Sequence, residues 1–344
     1  LEARSELIIS RTYAREKEDG TKETWPEIVE RVKGHQRWLW EQAQEKTLNF
    51  AQEAELDEMA RLMLDKKISM SGRTLWLGGT DVAKKRAASQ FNCSFSRVET
   101  VHDVVDCLWL LMQGCGVGFS PVVGSLSGFS SKIESLEVIR SKKKIEEWPV
   151  NRGRETNEDR VEDGVYYLSI GDSAQAWAKG VGKLLAFKGR VKKVVLDLSE
   201  IRPSGLRLKG YGWISSGDTT LSEALEAIFH LMNRAAGRLL TRIDILDLMN
   251  WLGTVLSSRR SAEIALFSVD EPEWEEFAVA KREYWVNNKQ RAQSNNSLLF
   301  NRKPCRQQLE HIFELLCEGG GCEPGFINGE AARKRAPWFS GINP

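Results

Sequence analysis

From residue 88 onward, short strand-like runs alternate with amphipathic helical runs, and the strand-like runs lie far apart in the sequence. Ser89-Gln90-Phe91-Asn92-Cys93-Ser94-Phe95 is short and partly alternating, and Val194-Val195-Leu196-Asp197-Leu198 has the pattern of a buried strand. Residues 262–267 and 296–300 read as two more strands. Thr100 and Asp103 form a capping pair that opens a helix through Val101, Val104, Val105, Leu108, Leu111 and Met112. Further helical stripes are expected at Leu221, Leu225, Ile228, Phe229, Met232 and Leu239, and then over 243–255, 272–284 and 307–316. The last of these precedes Pro324-Gly325-Phe326-Ile327-Asn328. Strands separated by connections of this length are not hairpin partners. They predict a parallel sheet with crossover helices, an α/β fold.

Two stretches depart from this alternation. Residues 1–66 read as a polar helical region, with Trp38, Leu39 and Trp40 as an apolar cluster and Leu56, Met59, Ala60 and Met63 at helical spacing. Residues 141–163 are charged and poor in apolar side chains, the texture of an exposed insertion or mobile loop. The 344 residues suffice for one large domain with a smaller appendage. A net charge of +1 gives no global attraction to nucleic acid or to a membrane surface, so neither is an expected partner. No run approaches the roughly 18 apolar residues of a membrane span. Six cysteines, with no C-x-x-C pair and no zinc-like Cys/His spacing, predict neither a disulfide scaffold nor a metal site, and fit a reducing cytoplasm. The chain opens at Leu1 without a signal-type segment or an initiator Met, which leads one to expect a clipped or partial reading frame.

Several motifs could carry chemistry, each with a plainer alternative. Gly114-Cys115-Gly116-Val117-Gly118-Phe119 follows a helix, so it is no dinucleotide fingerprint. It reads as a helix C-cap entering a strand, or as a place where glycine lets a ligand approach the backbone. Ser69-Met70-Ser71-Gly72-Arg73-Thr74 would serve as a turn, or offer hydroxyls to phosphate or ribose. Cys93, alone in its strand, fits a small buried hydrophobe on local grounds, because a redox role needs a partner thiol. Arg202-Pro203-Ser204-Gly205 and residues 209–218 make a long glycine- and serine-rich link of the kind found at the carboxyl ends of parallel strands. Gln293-Ser294-Asn295-Asn296-Ser297 reads as a second loop of the same rim.

In their order, these segments resemble the monomeric, adenosylcobalamin-dependent (class II) ribonucleoside-triphosphate reductases. The resemblance is carried by Ser71-Gly72-Arg73-Thr74-Leu75-Trp76, Gly79-Thr80-Asp81, Asn92-Cys93 and Gly116-Val117-Gly118-Phe119. It continues through Leu196-Asp197-Leu198-Ser199-Glu200-Ile201-Arg202-Pro203, Ala236-Gly237-Arg238-Leu239, Arg259-Arg260-Ser261-Ala262-Glu263, Ser294-Asn295-Asn296-Ser297 and Glu323-Pro324-Gly325. It implies a helical region over 1–66, followed over 67–344 by the first half of a ten-stranded α/β barrel. An insertion at about 125–190 would imitate a dimer partner that otherwise completes an allosteric site.

By the same resemblance, Cys93 would be one of two thiols that become a disulfide as the ribose 2′-hydroxyl is lost, and Asn343 a substrate-binding asparagine. Ser69, Ser71 and Asn92 would contact substrate, with Gly116 and Gly118 allowing close packing beneath it. The loop with Gly210, Gly212, Ser215, Ser216 and Gly217, and that with Gln293, Ser294, Asn295 and Asn296, would relay effector identity. The implied cofactor is adenosylcobalamin, with contacts mostly outside this chain, and a nucleoside triphosphate (dNTP) is the implied effector. The implied partners are a ribonucleotide substrate, a thioredoxin-type reductant and a C-terminal half of the enzyme. The family's radical cysteine follows an Asn-Pro dipeptide, and the sequence closes on Asn343-Pro344. The chain alone is therefore expected to be inactive, as an intein-interrupted, split or truncated enzyme. The alternatives are a non-catalytic nucleotide-binding fragment and the large subunit of an iron-dependent ribonucleotide reductase.

Overall fold

Thr100 and Asp103 behave as their spacing requires. In the computed structural model of the chain, Thr100 Oγ1 accepts from the Asp103 amide at 3.3 Å while Asp103 Oδ2 accepts from the Thr100 amide at 2.8 Å. This reciprocal cap satisfies two amides left without partners at the start of the Val101–Met112 helix. The structure describes every residue except Leu1, Pro149, Asn151, Lys209, Gly210, Gly212, 257–261 and Cys322, together with the side chain of Glu2. It divides into two units, Leu1–Asn92 with Leu208–Trp213, and Cys93–Arg207 with Ile214–Pro344. Among the described residues no helix is long and apolar enough to cross a membrane.

The first unit is helical. The helices Trp25–Gln44 and Phe50–Leu64 pack through Ile28, Val29, Val32, Ala60 and Met63, joined by Leu75 of the short helix Gly72–Leu77. Arg31 fastens this unit. Its Nε donates to Glu23 Oε1 at 2.6 Å, and its two terminal nitrogens donate to the carbonyls of Gly78 (2.6 Å) and Leu75 (2.9 Å). Those carbonyls lie at the C-terminal end of the short helix, where no intrahelical donor reaches them.

The second unit holds two sheets. One has the order β1 (Cys93–Val98), β2 (Gly116–Pro121), β7 (Glu263–Ser268), β8 (Ser294–Phe300) and β9 (Gly325–Asn328), and every pairing is parallel. The other has the order β3 (Ser135–Ile139), β6 (Lys193–Asp197), β5 (Val165–Ser169) and β4 (Glu158–Glu162). There only the β4–β5 pair is antiparallel. The helices Val101–Met112, Ala174–Ala186, Thr219–Arg234 and Arg242–Gly253 share one core with both sheets. Phe119, Phe129, Phe229, Phe267 and Phe277 are fully buried in it, each contributing about 1.5–3 kcal/mol of apolar transfer.

The parallel α/β arrangement follows the sequence reading; several details do not. Residues 87–90 form a single 3₁₀ turn, so the first strand starts at Cys93 and not at Ser89. Residues 194–198 were expected among the barrel strands, but β6 lies in the four-stranded sheet. The helix expected over 272–284 is interrupted. Trp274–Ala278 and Tyr284–Asn287 are separate, with Glu283 left-handed at φ 46° between them. Leu239 is off its expected helix, which ends at Arg234 ahead of the left-handed Gly237 (φ 78°). Residues 141–163 are not wholly loop, because they include β4, whose five residues are all exposed. Ser294, Asn295 and Asn296 begin β8 and are not part of a loop.

Candidate functional site

Cys93 opens β1, its backbone in register with Gly116 of β2. Its thiol donates to the Pro344 carbonyl at 2.8 Å. Alternation along a strand puts Cys93 and Phe95 on one face of β1, and Gly116 and Gly118 on one face of β2. Residues 341–344 run across these positions, and glycine is what admits them. A Cβ on Gly118 would lie 1.7 Å from the Ile342 carbonyl oxygen and 3.0 Å from Asn343 Cα. A Cβ on Gly116 would meet the Pro344 ring at 3.0 Å, and one on Gly341 would fall 2.0 Å from the Phe95 ring. The glycines of this motif serve close approach of backbone, here from the chain itself. Cys93, Gly116, Gly118 and Asn343 are thereby brought together, with Cys93 half-buried and Asn343 exposed.

Three other expected site residues have local roles in the first unit. Asn92 Oδ1 accepts from Arg73 Nε at 3.2 Å. Ser71 caps the Gly72–Leu77 helix by accepting from the Thr74 amide at 3.2 Å, and the Ser69 hydroxyl bonds the Met70 carbonyl.

Of the glycine- and serine-rich link, Gly210 and Gly212 lie outside the described residues, as do Arg259, Arg260 and Ser261 of the resemblance. Ser215 is buried in a turn: its amide donates to Leu206 O (2.7 Å), its carbonyl accepts from Gly205 N (3.0 Å) and its hydroxyl from Gly217 N (3.1 Å). Gly217 is left-handed (φ 69°), and a Cβ there would sit 2.8 Å from Ser204 N. Ser216, half-buried, lies between them.

This turn leads to the carboxyl ends of the parallel strands β3, β5 and β6, where charge gathers. Arg202 Nε bonds both Asp172 carboxylate oxygens, at 3.0 and 2.9 Å, and its amide donates to Asp172 Oδ1 at 3.1 Å. The Arg202 guanidinium also lies over the Trp148 ring, 5.4 Å from its centre. Asp218, ahead of the Thr219–Arg234 helix, accepts from Arg140 Nε at 2.7 Å and Ser141 N at 2.9 Å. Burial works to raise its pKa, but these donors and the Arg140 charge outweigh that and hold it below the ordinary carboxylate value. Sequence reasoning missed Asp172 and Arg140. The available signal was position, since Arg140 directly follows β3 and Asp172 lies shortly beyond β5.

The start of β8 forms a buried polar cluster. Asn250 Nδ2 donates to Glu263 Oε2 (3.1 Å) and Ser294 Oγ (3.0 Å), and Ser294 Oγ donates to Asn296 Oδ1 (3.0 Å). Gln293 packs where a Cβ on Gly253 would come within 2.3 Å of its Cγ, while Asn295 is exposed. Glu263 was not singled out from the sequence, although an acid opening an apolar strand is a readable signal.

Two family models match the chain: "Ribonucleotide reductase alpha domain" over residues 2–80 and "B12-dependent ribonucleotide reductase, insertion domain" over 136–232. The adenosylcobalamin-dependent ribonucleoside-triphosphate reductase of Lactobacillus gasseri is 30% identical, over 95% of this chain and 48% of the relative. A putative adenosylcobalamin-dependent ribonucleoside-triphosphate reductase of Mycobacterium phage D29 is 28% identical, over 82% of this chain and 43% of its own. A crystal structure of a B12-dependent (class II) ribonucleotide reductase superposes with a TM-score of 0.73 at 25% identity, covering 94% of this chain and 48% of that one. The chain is similar to the B12-dependent ribonucleotide reductases along nearly its whole length. It spans about half the length of the curated relatives it matches. The insertion-domain match runs from within β3 to within the Thr219–Arg234 helix, and so takes in β4, β5 and β6. The five parallel strands lie outside both matched segments.

Proposed function

We propose that this chain forms the substrate-shaping half of an adenosylcobalamin-dependent ribonucleoside-triphosphate reductase, with Cys93 as one of its two reducing thiols. The observation that carries the reading is Cys93 at the head of β1, beside the glycine floor of Gly116 and Gly118. A strand holds its sulfur far more rigidly than a loop would, as a thiol working on one face of a bound ribose requires. Two thiols supply two electrons and two protons: the ribose 2′-hydroxyl leaves as water, hydrogen takes its place, and the sulfurs join as a disulfide. Cys93 gives one of the two hydrogens. The second thiol and the remaining five strands come from a complementary segment, and a thioredoxin-type dithiol restores the pair. Asn343 contacts the substrate's hydroxyls.

Adenosylcobalamin supplies the radical when bound. Residues 342–344 pack on the face at Gly116 and Gly118, and the cofactor's contacts are expected mostly outside this chain, so no residue here is assigned to it and no step is routed through it. The insertion, expected at about 125–190, imitates a dimer partner. Its carboxyl-end crevice takes the effector nucleotide, with Arg140 and Arg202 toward phosphate and Asp172 toward ribose.

The chain should bind dNTP, and Arg202→Ala should weaken that binding at least tenfold. With nucleoside triphosphate, adenosylcobalamin and a dithiol, deoxynucleotide should form only when the complementary half of a relative is added, and Cys93→Ser should abolish it. Turnover by the chain alone, or full turnover with Cys93→Ser, contradicts the reading.

A further inference from the structure

Glu263 has no part in the chemistry above, yet it is the most unusual carboxyl in the second unit. It opens β7, is 2% exposed, and lies among the outer helices, where its Oε2 accepts from Asn250 Nδ2. Among the described residues no Lys or Arg pairs with it, and its Oε1 has no hydrogen-bond partner. Gly253 makes room for it, because a Cβ there would stand 3.0 Å from Glu263 Cδ. A buried carboxylate without a cation or a full set of donors is strongly disfavoured relative to the neutral acid.

Its position gives the proton a consequence. Through Asn250, Glu263 is tied to the Arg242–Gly253 helix and to Ser294 at the head of β8. The residue before it, Ala262, accepts from the Val117 amide at 2.8 Å. Val117 adjoins Gly116, the register partner of Cys93. We propose that Glu263 is a positioning residue that works as an uncharged acid, locking the head of β7 to β8 and to its helix, and so fixing β2 beside Cys93. Ionisation loosens this lock.

Burial pushes the Glu263 carboxyl up to about 8, although the bond from Asn250 pulls the other way. The titratable groups on the packed elements do not substitute for it. Cys107, on the Val101–Met112 helix, is itself pushed to about 12, mainly by burial, and stays a neutral thiol. Lys281 is engaged by the Ser294 carbonyl and by Glu323 Oε2 at 2.8 Å, and Asp247 by Arg291 at 2.7 Å. Neither pair supplies a cation to Glu263.

The inference does not depend on the proposed reaction and is tested without turnover. In the full 344-residue chain, exchange of the Val117 amide, normalised for its intrinsic pH dependence, should accelerate at least fivefold as pH rises from 7 to 9. In Glu263→Gln, an uncharged isostere, that acceleration should vanish. The same inflection in both proteins overturns the proposal. Should Glu263→Gln fail to fold, infrared titration of the wild-type chain keeps the test open: a buried protonated-carboxyl band should persist at pH 7 and disappear near pH 8. A Glu263 carboxylate already ionised at pH 6 overturns it.

Discussion

Gly118→Ala offers the sharpest test of the candidate site. The added methyl carbon would stand 1.7 Å from the Ile342 carbonyl oxygen and 2.8 Å from its carbon, both backbone atoms that no rotamer change can move. Overpacking of this kind costs about 1–3 kcal/mol. β2 is held by its pairing with β1 and β7 on either side, so the strain falls on residues 341–344. Relief by release shifts its closed–open balance by about 5- to 150-fold and removes the bond from Cys93 Sγ to Pro344 O. The assay is the alkylation rate of Cys93 by iodoacetamide, resolved from the exposed Cys305 and Cys317 by peptide mass spectrometry. Alkylation should accelerate within that range while the global unfolding midpoint changes little, since the core of the unit is untouched. An unchanged Cys93 rate in a folded Gly118→Ala chain would refute the claim that glycine is there to admit residues 341–344.

Other expectations follow from particular contacts. Arg31→Met should destabilise the first unit by about 3 kcal/mol in urea titrations, because it leaves Glu23 as a largely buried charge without its partner and strips donors from two helix-end carbonyls. Thr100→Ala should cost about 1 kcal/mol with no change in the denaturant slope, the ordinary effect of losing a helix cap. His35 is buried, and its pKa is lowered, first by burial and then by the charges of Lys84 and Arg31. Its folded value thus lies below the unfolded one, so its contribution is present above about pH 6.5 and is lost as pH falls from there through the lower folded value. The thermal midpoint of the first unit should therefore fall on acidification, and His35→Gln should blunt the fall. An identical slope in the variant would count against this assignment.

The sequence by itself determined the local pieces whose causes are local. The Val101–Met112 helix could be read because cap and apolar period both lie within its own residues. The parallel arrangement could be read because long helical connections leave no hairpin alternative. The candidate thiol was legible only through resemblance, since nothing next to Cys93 in sequence explains a cysteine there. What the sequence left open was partnership. β6 and β7 carry similar apolar runs, yet one joins the four-stranded sheet and the other the five-stranded one. An apolar pattern specifies that a face is buried, but not by which neighbour. Gly116 and Gly118 read as a helix cap entering a strand or as a place of close approach to the backbone; that the approaching group is a segment more than 200 residues away in the chain was not legible. Glu263 was not singled out from the sequence, and only the packing of the fold around it makes it a buried acid. Caps and periods depend on the next few residues, whereas close approach and desolvation depend on whatever the fold brings alongside, and that is settled only in three dimensions.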